Sequence, residues 1–245
     1  MDQAFKTAIV TGAGRGIGAA VARRLAADGF SVIVNYARDA ASAAAVVRTI
    51  ADAGGRAHAV RGDVADPTGI PALFDAAERQ FGPVHVLVNN AGTMRLSPLA
   101  EATDAEFDSQ IAVNLTGAFR GMREAARRMS DGGRIITVST SLVGFYLPGY
   151  GIYTAAKAAV EALSKVLAKE LGPRGITVNA VAPGPVETEL FFHGKTDEQV
   201  QAITRMIPRG RLGHPDDIAG AIAFLAGPDS GWVSGQTIRA NGGAV

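Results

Sequence analysis

The stretch TAIVTGAGRGIGAAVARRLAA constrains this chain more than any other. A short apolar run, 7–10, breaks into a turn carrying Gly12, Gly14, Gly16 and Gly18, and an alanine-rich helical stretch follows at once. A strand, a tight turn and a helix in that order form the opening unit of an α/β fold. The glycines let backbone N–H groups approach a ligand closely, and the helix N-terminus adds a partial positive charge suited to a pyrophosphate. The strict dinucleotide fingerprint fails here, although Gly14-x-Gly16-x-x-Ala19 fits its looser form.

The same rhythm continues along the chain. β-branched runs at 31–35, 57–63, 84–90, 134–140, 175–183 and 235–240 alternate with helical stretches at 17–28, 40–53, 70–80, 104–129, 154–171 and 215–226. Several of the runs are apolar on nearly every residue, which suits strands buried on both faces. The expectation is one doubly wound α/β domain over 1–245, a mostly parallel seven-stranded sheet with helices on both faces. The segment 188–214 interrupts the rhythm as a long insertion after a strand, the place where a lid over a ligand would sit.

Composition removes other classes. Lys and Arg number 24 against 23 for Asp and Glu, with no run of like charge, so no basic footprint for nucleic acid exists. No cysteine is present, which excludes disulfides, thiolate metal sites and cysteine nucleophiles. The histidines His58, His85, His193 and His214 have no metal-ligand spacing, so no metal is expected. No window approaches a membrane span, and the first residues run into a strand without the pattern of a signal peptide; a soluble, cytoplasmic protein is expected.

Tyr153 and Lys157, in YTAAK, lie four apart in a helical stretch and so share one face. A free phenol has a pKa near 10. An ammonium beside it favours the phenolate and brings the group toward the range of efficient general acid–base catalysis. The pair suits proton transfer to or from an alcohol oxygen.

Four motifs in order, Thr11-Gly12-x-x-x-Gly16-Ile17-Gly18, Asn89-Asn90-Ala91-Gly92, Tyr153-x-x-x-Lys157 and Pro183-Gly184-Pro185-Val186-Glu187-Thr188, resemble those of the short-chain dehydrogenase/reductase family. The resemblance runs over almost the whole chain and is greatest to the 3-oxoacyl-[acyl-carrier-protein] reductase group. It implies a Rossmann-type fold, a nicotinamide dinucleotide cofactor and interconversion of a carbonyl and an alcohol. By resemblance, Tyr153 is the general acid/base, Lys157 holds the nicotinamide ribose and lowers the phenol's pKa, and Asn114 holds a water in a proton relay. A serine hydroxyl binds the carbonyl oxygen. Gly144, three residues on, selects Ser141 for that role, whereas the commoner spacing of thirteen before the tyrosine selects Thr140; Ser141 is taken, with Ser139 a further candidate.

The resemblance also lays out the cofactor site. Gly12, Gly14, Arg15, Gly16, Ile17 and Gly18 form the pyrophosphate turn. Asp63 and Val64 contact the adenine. Asn90, Ala91 and Gly92 lie along the adenosine ribose, and Pro183, Gly184, Val186 and Thr188 border the nicotinamide. NAD recognition needs an acid at the end of the second strand, where Tyr36 stands instead; Arg15 and Arg38 are placed to clamp a 2′-phosphate. NADP(H) is therefore expected over NAD(H), with Asp39 as the counter-argument. The alternatives are an NAD(H)-dependent alcohol or polyol dehydrogenase and a non-catalytic NADP(H)-binding regulator. The partner is a small carbonyl or alcohol substrate, and the resemblance implies a homotetramer. Met94, Phe145, Tyr146 and Tyr150 are expected around an apolar substrate site, Phe191 and Phe192 on its wall, and Trp232 packed near the last strand.

Overall fold

The computed structural model describes residues 6–245. Seven strands form one sheet: β1 (Lys6–Val10), β2 (Phe30–Tyr36), β3 (Arg56–Arg61), β4 (Val84–Asn89), β5 (Arg134–Val138), β6 (Thr177–Pro183) and β7 (Thr237–Ala240). Their spatial order is β3-β2-β1-β4-β5-β6-β7, and every pairing is parallel. The sheet is thus all-parallel where the sequence suggested only mostly so.

Side-chain alternation explains why both faces are covered. Ala8 and Val10 of β1 point into a core shared with α1 (Gly16–Ala27), α2 (Ala40–Asp52) and, further along the chain, α10 (Pro215–Ala226). Ile9, between them, points into the opposite core with α3 (Gly69–Phe81), α5 (Ala118–Arg128) and α7 (Gly151–Leu171). Successive strand residues face opposite ways, so a run of apolar residues feeds two cores at once. Removing a side chain such as Ile9, which is fully buried, from water contributes on the order of 1.5–3 kcal/mol.

The long helix expected over 104–129 is interrupted. It comprises α4 (Asp104–Ile111), a π-helical turn (Ala112–Gly117) and α5. Thr103 and Glu106 form a capping box at its start, fixing where the helix begins. The other differences are small. β3 stops at Arg61, so Asp63 lies in the following loop, and α7 begins at Gly151, which puts Tyr153 in its first turn. Trp232 departs from expectation: it stands fully exposed before β7 and packs on none of the described residues.

Between β6 and α10 the chain leaves the sheet and returns. It forms α8 (Glu189–Phe192) and α9 (Asp197–Arg205), and α6 (Leu142–Phe145) lies earlier, after β5. A parallel bridge between Val186 and Gly213 closes the excursion. There the Gly213 N–H donates to the Pro185 carbonyl and the Glu187 N–H to the Gly213 carbonyl, both at 2.9 Å. No helix among the described residues is long and apolar enough to cross a membrane.

Candidate active site

In a sheet of this order the chain direction of winding reverses between β1 and β4, and the loops leaving those two strands part to form a crevice. A cavity of about 1410 Å³ occupies that place, at the C-terminal ends of the strands. It brings together every sequence-predicted site residue except Asn114, which lies behind its wall.

The turn after β1 is held from three sides. Gly12 and Gly16 adopt positive φ, +63° and +53°, which explains glycine at those two positions. The Thr11 hydroxyl accepts from the backbone N–H groups of Asn90 (2.9 Å) and Ala91 (3.0 Å), while Asn90 Nδ2 donates to the Thr11 carbonyl at 2.8 Å. Asn35, at the end of β2, accepts from the Gly12 N–H at 3.1 Å and donates to the Gly62 carbonyl at 2.9 Å. One buried amide thus ties β1, β2 and β3 together at the rim. The sequence reading assigned Asn35 no role; a polar residue ending an apolar strand was the available signal.

The cradle fits a dinucleotide pyrophosphate. The first turn of α1 has no side-chain cap, so its N–H groups face the crevice free to meet an anion. A Cβ on Gly18 would overlap the Gly12 carbonyl oxygen and lie 2.5 Å from Asn90 Nδ2. Gly18→Ala is therefore expected to displace the turn, lower stability by about 1–3 kcal/mol through overpacking, and abolish dinucleotide binding. Thermal unfolding and cofactor titration of the purified variant check both effects.

At the end of β2, Tyr36 is half-buried and Arg38 exposed, and both line the crevice. Asp39 is already employed: its carboxylate accepts from the Ser42 N–H (2.9 Å) and hydroxyl (2.6 Å), capping α2. Those bonds hold its pKa below the ordinary value. Arg15 reaches across the crevice to Glu189 of α8 at 2.7 Å, with both side chains largely exposed. Asp63 accepts from the Ala65 N–H at 2.9 Å, and Val64 packs against Gly117.

The chemistry-bearing residues come from the far side. Tyr153 and Lys157 lie on one face of α7, both buried. Lys157 Nζ donates to the Val138 carbonyl at 2.7 Å, which orients the ammonium and uses one of its three donors. Burial pulls its pKa down to about 8. Burial also dominates the phenol: Tyr153 is pushed up to about 12, opposed by a side-chain hydrogen bond with Thr140. The expected depression of the phenol by its lysine is absent from this balance. The ammonium lies 5.8 Å from the Tyr153 ring centroid and is turned toward Val138, so desolvation wins. Tyr153 is consequently a neutral phenol near pH 7, a proton donor.

The three hydroxyls after β5 point in different directions. Ser139 donates to Glu161 at 2.5 Å, on the side of α7. The Ser141 hydroxyl donates to the Ala182 carbonyl at 3.0 Å and accepts from Asn241 Nδ2 at 3.0 Å. Thr140 is the one of the three whose side chain acts on the Tyr153 phenol, drawing its pKa down, and its oxygen accepts from the Leu142 N–H at 3.3 Å. With Ser139 and Ser141 committed to Glu161, Ala182 and Asn241, Thr140 is left as the candidate hydroxyl beside the phenol, the choice indicated by the thirteen-residue spacing.

Asn114 sits in the π-helical turn. Its amide donates to the carbonyls of Thr93 (2.8 Å) and Gln110 (3.0 Å), and its Oδ1 accepts from the Thr93 N–H at 3.1 Å. These bonds fasten the loop after β4 to the helix behind it. Gln110, one turn earlier, does the same through the Arg95 N–H at 3.1 Å. A Cβ on Gly92 would stand 3.1 Å from Asn114 Oδ1 and 3.7 Å from Lys157 Nζ, so the loop runs directly past the ammonium.

Beyond Tyr153 the cavity wall is apolar. Met94, Phe145, Tyr150, Leu190, Phe191 and Met206 line it. Tyr146 and Phe192 are exposed and do not, which narrows the expectation for both pairs. His193 lines the cavity, while His85 accepts from the Thr7 N–H at 3.3 Å and is structural. No cluster of residues suited to a metal ion occurs among the described residues.

A doubly wound sheet with a phenol, a lysine and a hydroxyl at the crevice beside a pyrophosphate cradle is the layout of an oxidoreductase that uses a nicotinamide dinucleotide. Comparison with known proteins gives the family. A family model described as enoyl-(acyl carrier protein) reductase matches residues 12–245. An NADPH-dependent aldehyde reductase-like chloroplastic protein of Arabidopsis thaliana is 44% identical over 256 residues, 99% of this chain and 95% of that one. The crystal structure of a dehydrogenase/reductase from Sinorhizobium meliloti 1021 superposes with a TM-score of 0.93 at 44% identity, over 98% of this chain and 94% of the other. A short chain dehydrogenase from Burkholderia cenocepacia J2315, solved in complex with NADP, gives 0.92 at 38% identity over 98% and 97%. The chain belongs to the short-chain dehydrogenase/reductase family and is an NAD(P)-dependent dehydrogenase/reductase.

Proposed function

We propose that the protein reduces apolar aldehydes or ketones with NADPH. The observation that carries this reading is the neutral Tyr153 phenol, with Thr140 on the same cavity wall and Lys157 one turn along α7. When bound, the reduced nicotinamide supplies a hydride. Tyr153 gives its proton to the carbonyl oxygen, and the Thr140 hydroxyl donates a hydrogen bond to the same oxygen as negative charge develops on it. Lys157 keeps two donors for the nicotinamide ribose hydroxyls after its bond to Val138. Asn114 holds the loop carrying Gly92 against that ammonium rather than meeting substrate, so it is a positioning residue in this reading. Segment 188–214 covers the substrate end through Leu190, Phe191 and Met206, in a single functional domain.

The preference for NADP(H) rests on Arg38 beside a non-acidic Tyr36 and on the engagement of Asp39 as a helix cap. A relative solved with NADP and an NADPH-dependent relative support it. The acyl-carrier substrate of the 3-oxoacyl-[acyl-carrier-protein] reductases fits less well. Lys195, the one cation on the cavity wall within segment 188–214, is spent on the Phe191 carbonyl at 2.7 Å. Arg128 is held by Asp75, Glu78 and Glu124, away from the cavity. An apolar concavity between α5 and α7, with Phe119 and Val166 on it, supports the homotetramer as part of the same reading.

The test is oxidation of NADPH and of NADH with a panel of aldehydes, ketones and β-keto esters. The expected result is turnover with NADPH and a preference over NADH that falls about ten-fold or more in Arg38→Ala, the worth of one charge-assisted hydrogen bond. Tighter binding of NADH than of NADPH by the unaltered protein would overturn the cofactor assignment. A protein that binds NADPH yet turns over none of the panel would overturn the substrate assignment.

A further inference from the structure

The segment after β7 makes contacts that the reaction as described does not use. Asn241 Nδ2 donates to the Ser141 hydroxyl at 3.0 Å and to the Val245 carbonyl at 3.1 Å, and its Oδ1 accepts from the Gly243 N–H at 3.0 Å. All three polar positions of the amide that lie within reach are therefore committed, in one orientation. Ser141 in turn donates to the Ala182 carbonyl, and its own N–H donates to the Pro183 carbonyl at 2.8 Å. The Gly184 N–H donates to the Ala240 carbonyl at 3.1 Å, and a Cβ on Gly184 would lie 2.8 Å from the Asn241 Cβ. Asn241 thus abuts two loops at once: the one after β5, which carries Thr140, and the one after β6, which carries Pro183 and Gly184.

We infer that Asn241 is a positioning residue for Thr140, acting through Ser141; the inference rests on the carbonyl-reductase reading above. A serine hydroxyl has one proton and two lone pairs. With Asn241 donating to its oxygen, the Ser141 proton is directed to the Ala182 carbonyl. That bond pins residue 141 to β6 and with it fixes the backbone of the preceding residue, Thr140, whose side chain acts on the Tyr153 phenol. Leu142 assists by donating its N–H to the Thr140 hydroxyl oxygen at 3.3 Å, so the Thr140 proton is left for a partner on the crevice side. An aspartate at 241 reverses the arrangement: a carboxylate only accepts, takes the Ser141 proton, releases Ala182 and faces the Val245 carbonyl without a donor.

Two measurements test this on the full chain. The first needs no substrate: with tyrosines labelled at Cζ, the Tyr153 resonance is assigned by its disappearance in Tyr153→Phe and followed at neutral pH. Asn241→Asp and Asn241→Ala are expected to move it in the direction that Thr140→Val moves it. A resonance that stays in place in both Asn241 variants overturns the inference. The second is steady-state reduction with NADPH. Asn241→Ala is expected to lower kcat roughly ten-fold, as misplacement of a reacting group does, with the KM for NADPH within two-fold of the unaltered protein and the melting temperature preserved. The double variant with Ser141→Ala is expected to be no slower than either single one, because both act along one chain of bonds. Multiplying losses in the double variant, or a loss of activity that only tracks a fall in melting temperature, overturns it. If the unaltered protein reduces no carbonyl, the parent reading fails while the resonance experiment still decides the positioning role.

Discussion

Tyr153→Phe is expected to lower kcat for carbonyl reduction by about 10²–10⁴-fold, the range for removal of a general acid, while NADPH binding stays close to normal. The ring is retained, so the buried packing of α7 against the sheet is kept. What disappears is the phenol proton one helical turn from Lys157, which burial keeps on the oxygen at working pH. A single-turnover experiment separates the two effects: cofactor fluorescence reports binding and its decay reports chemistry. Undiminished decay in this variant would remove Tyr153 from the reaction.

The second large effect is expected at Thr140. Thr140→Val keeps shape and removes the hydroxyl, and the loss of one donor to a developing oxyanion costs about 10²–10³-fold in kcat. Ser141→Ala is expected to cost about ten-fold if, as inferred, Ser141 acts on Thr140 by placement and not on the substrate. The ranking of the two is the decisive quantity, measured as kcat with saturating NADPH. A larger loss for Ser141→Ala would return the carbonyl-binding role to Ser141.

The fold was legible because its signals are local and repeated. Apolar runs bounded by glycine turns gave all seven strands, and the crevice residues follow from where those strands end. What escaped were features set by contacts distant in sequence. The π-helical turn at Ala112–Gly117 arises with Asn114 bonding to Thr93, across a loop that no periodicity reveals. Ser141 and Thr140 are adjacent hydroxyls whose directions are decided by Ala182 and Asn241, far along the chain, so motif spacing alone left two answers. The phenol's environment was misjudged for a related reason. Sequence shows that Lys157 is near Tyr153, but only the structure shows the ammonium committed to Val138. Trp232, expected to pack near the last strand, stands fully exposed.

The bridge that joins Val186 to Gly213 brings the two ends of a long excursion together at a single rung beside β6. Because departure and return coincide, the part of the interval beyond Thr188 and Glu189, which touch the glycine turn, can change in length or sequence with little consequence for strand register. On the proposed reading, in which this interval covers the substrate end, selectivity and hydride chemistry become separable parts of the molecule. Transplanting that interval from one relative to another is a direct route to new carbonyl preferences on an unchanged redox frame.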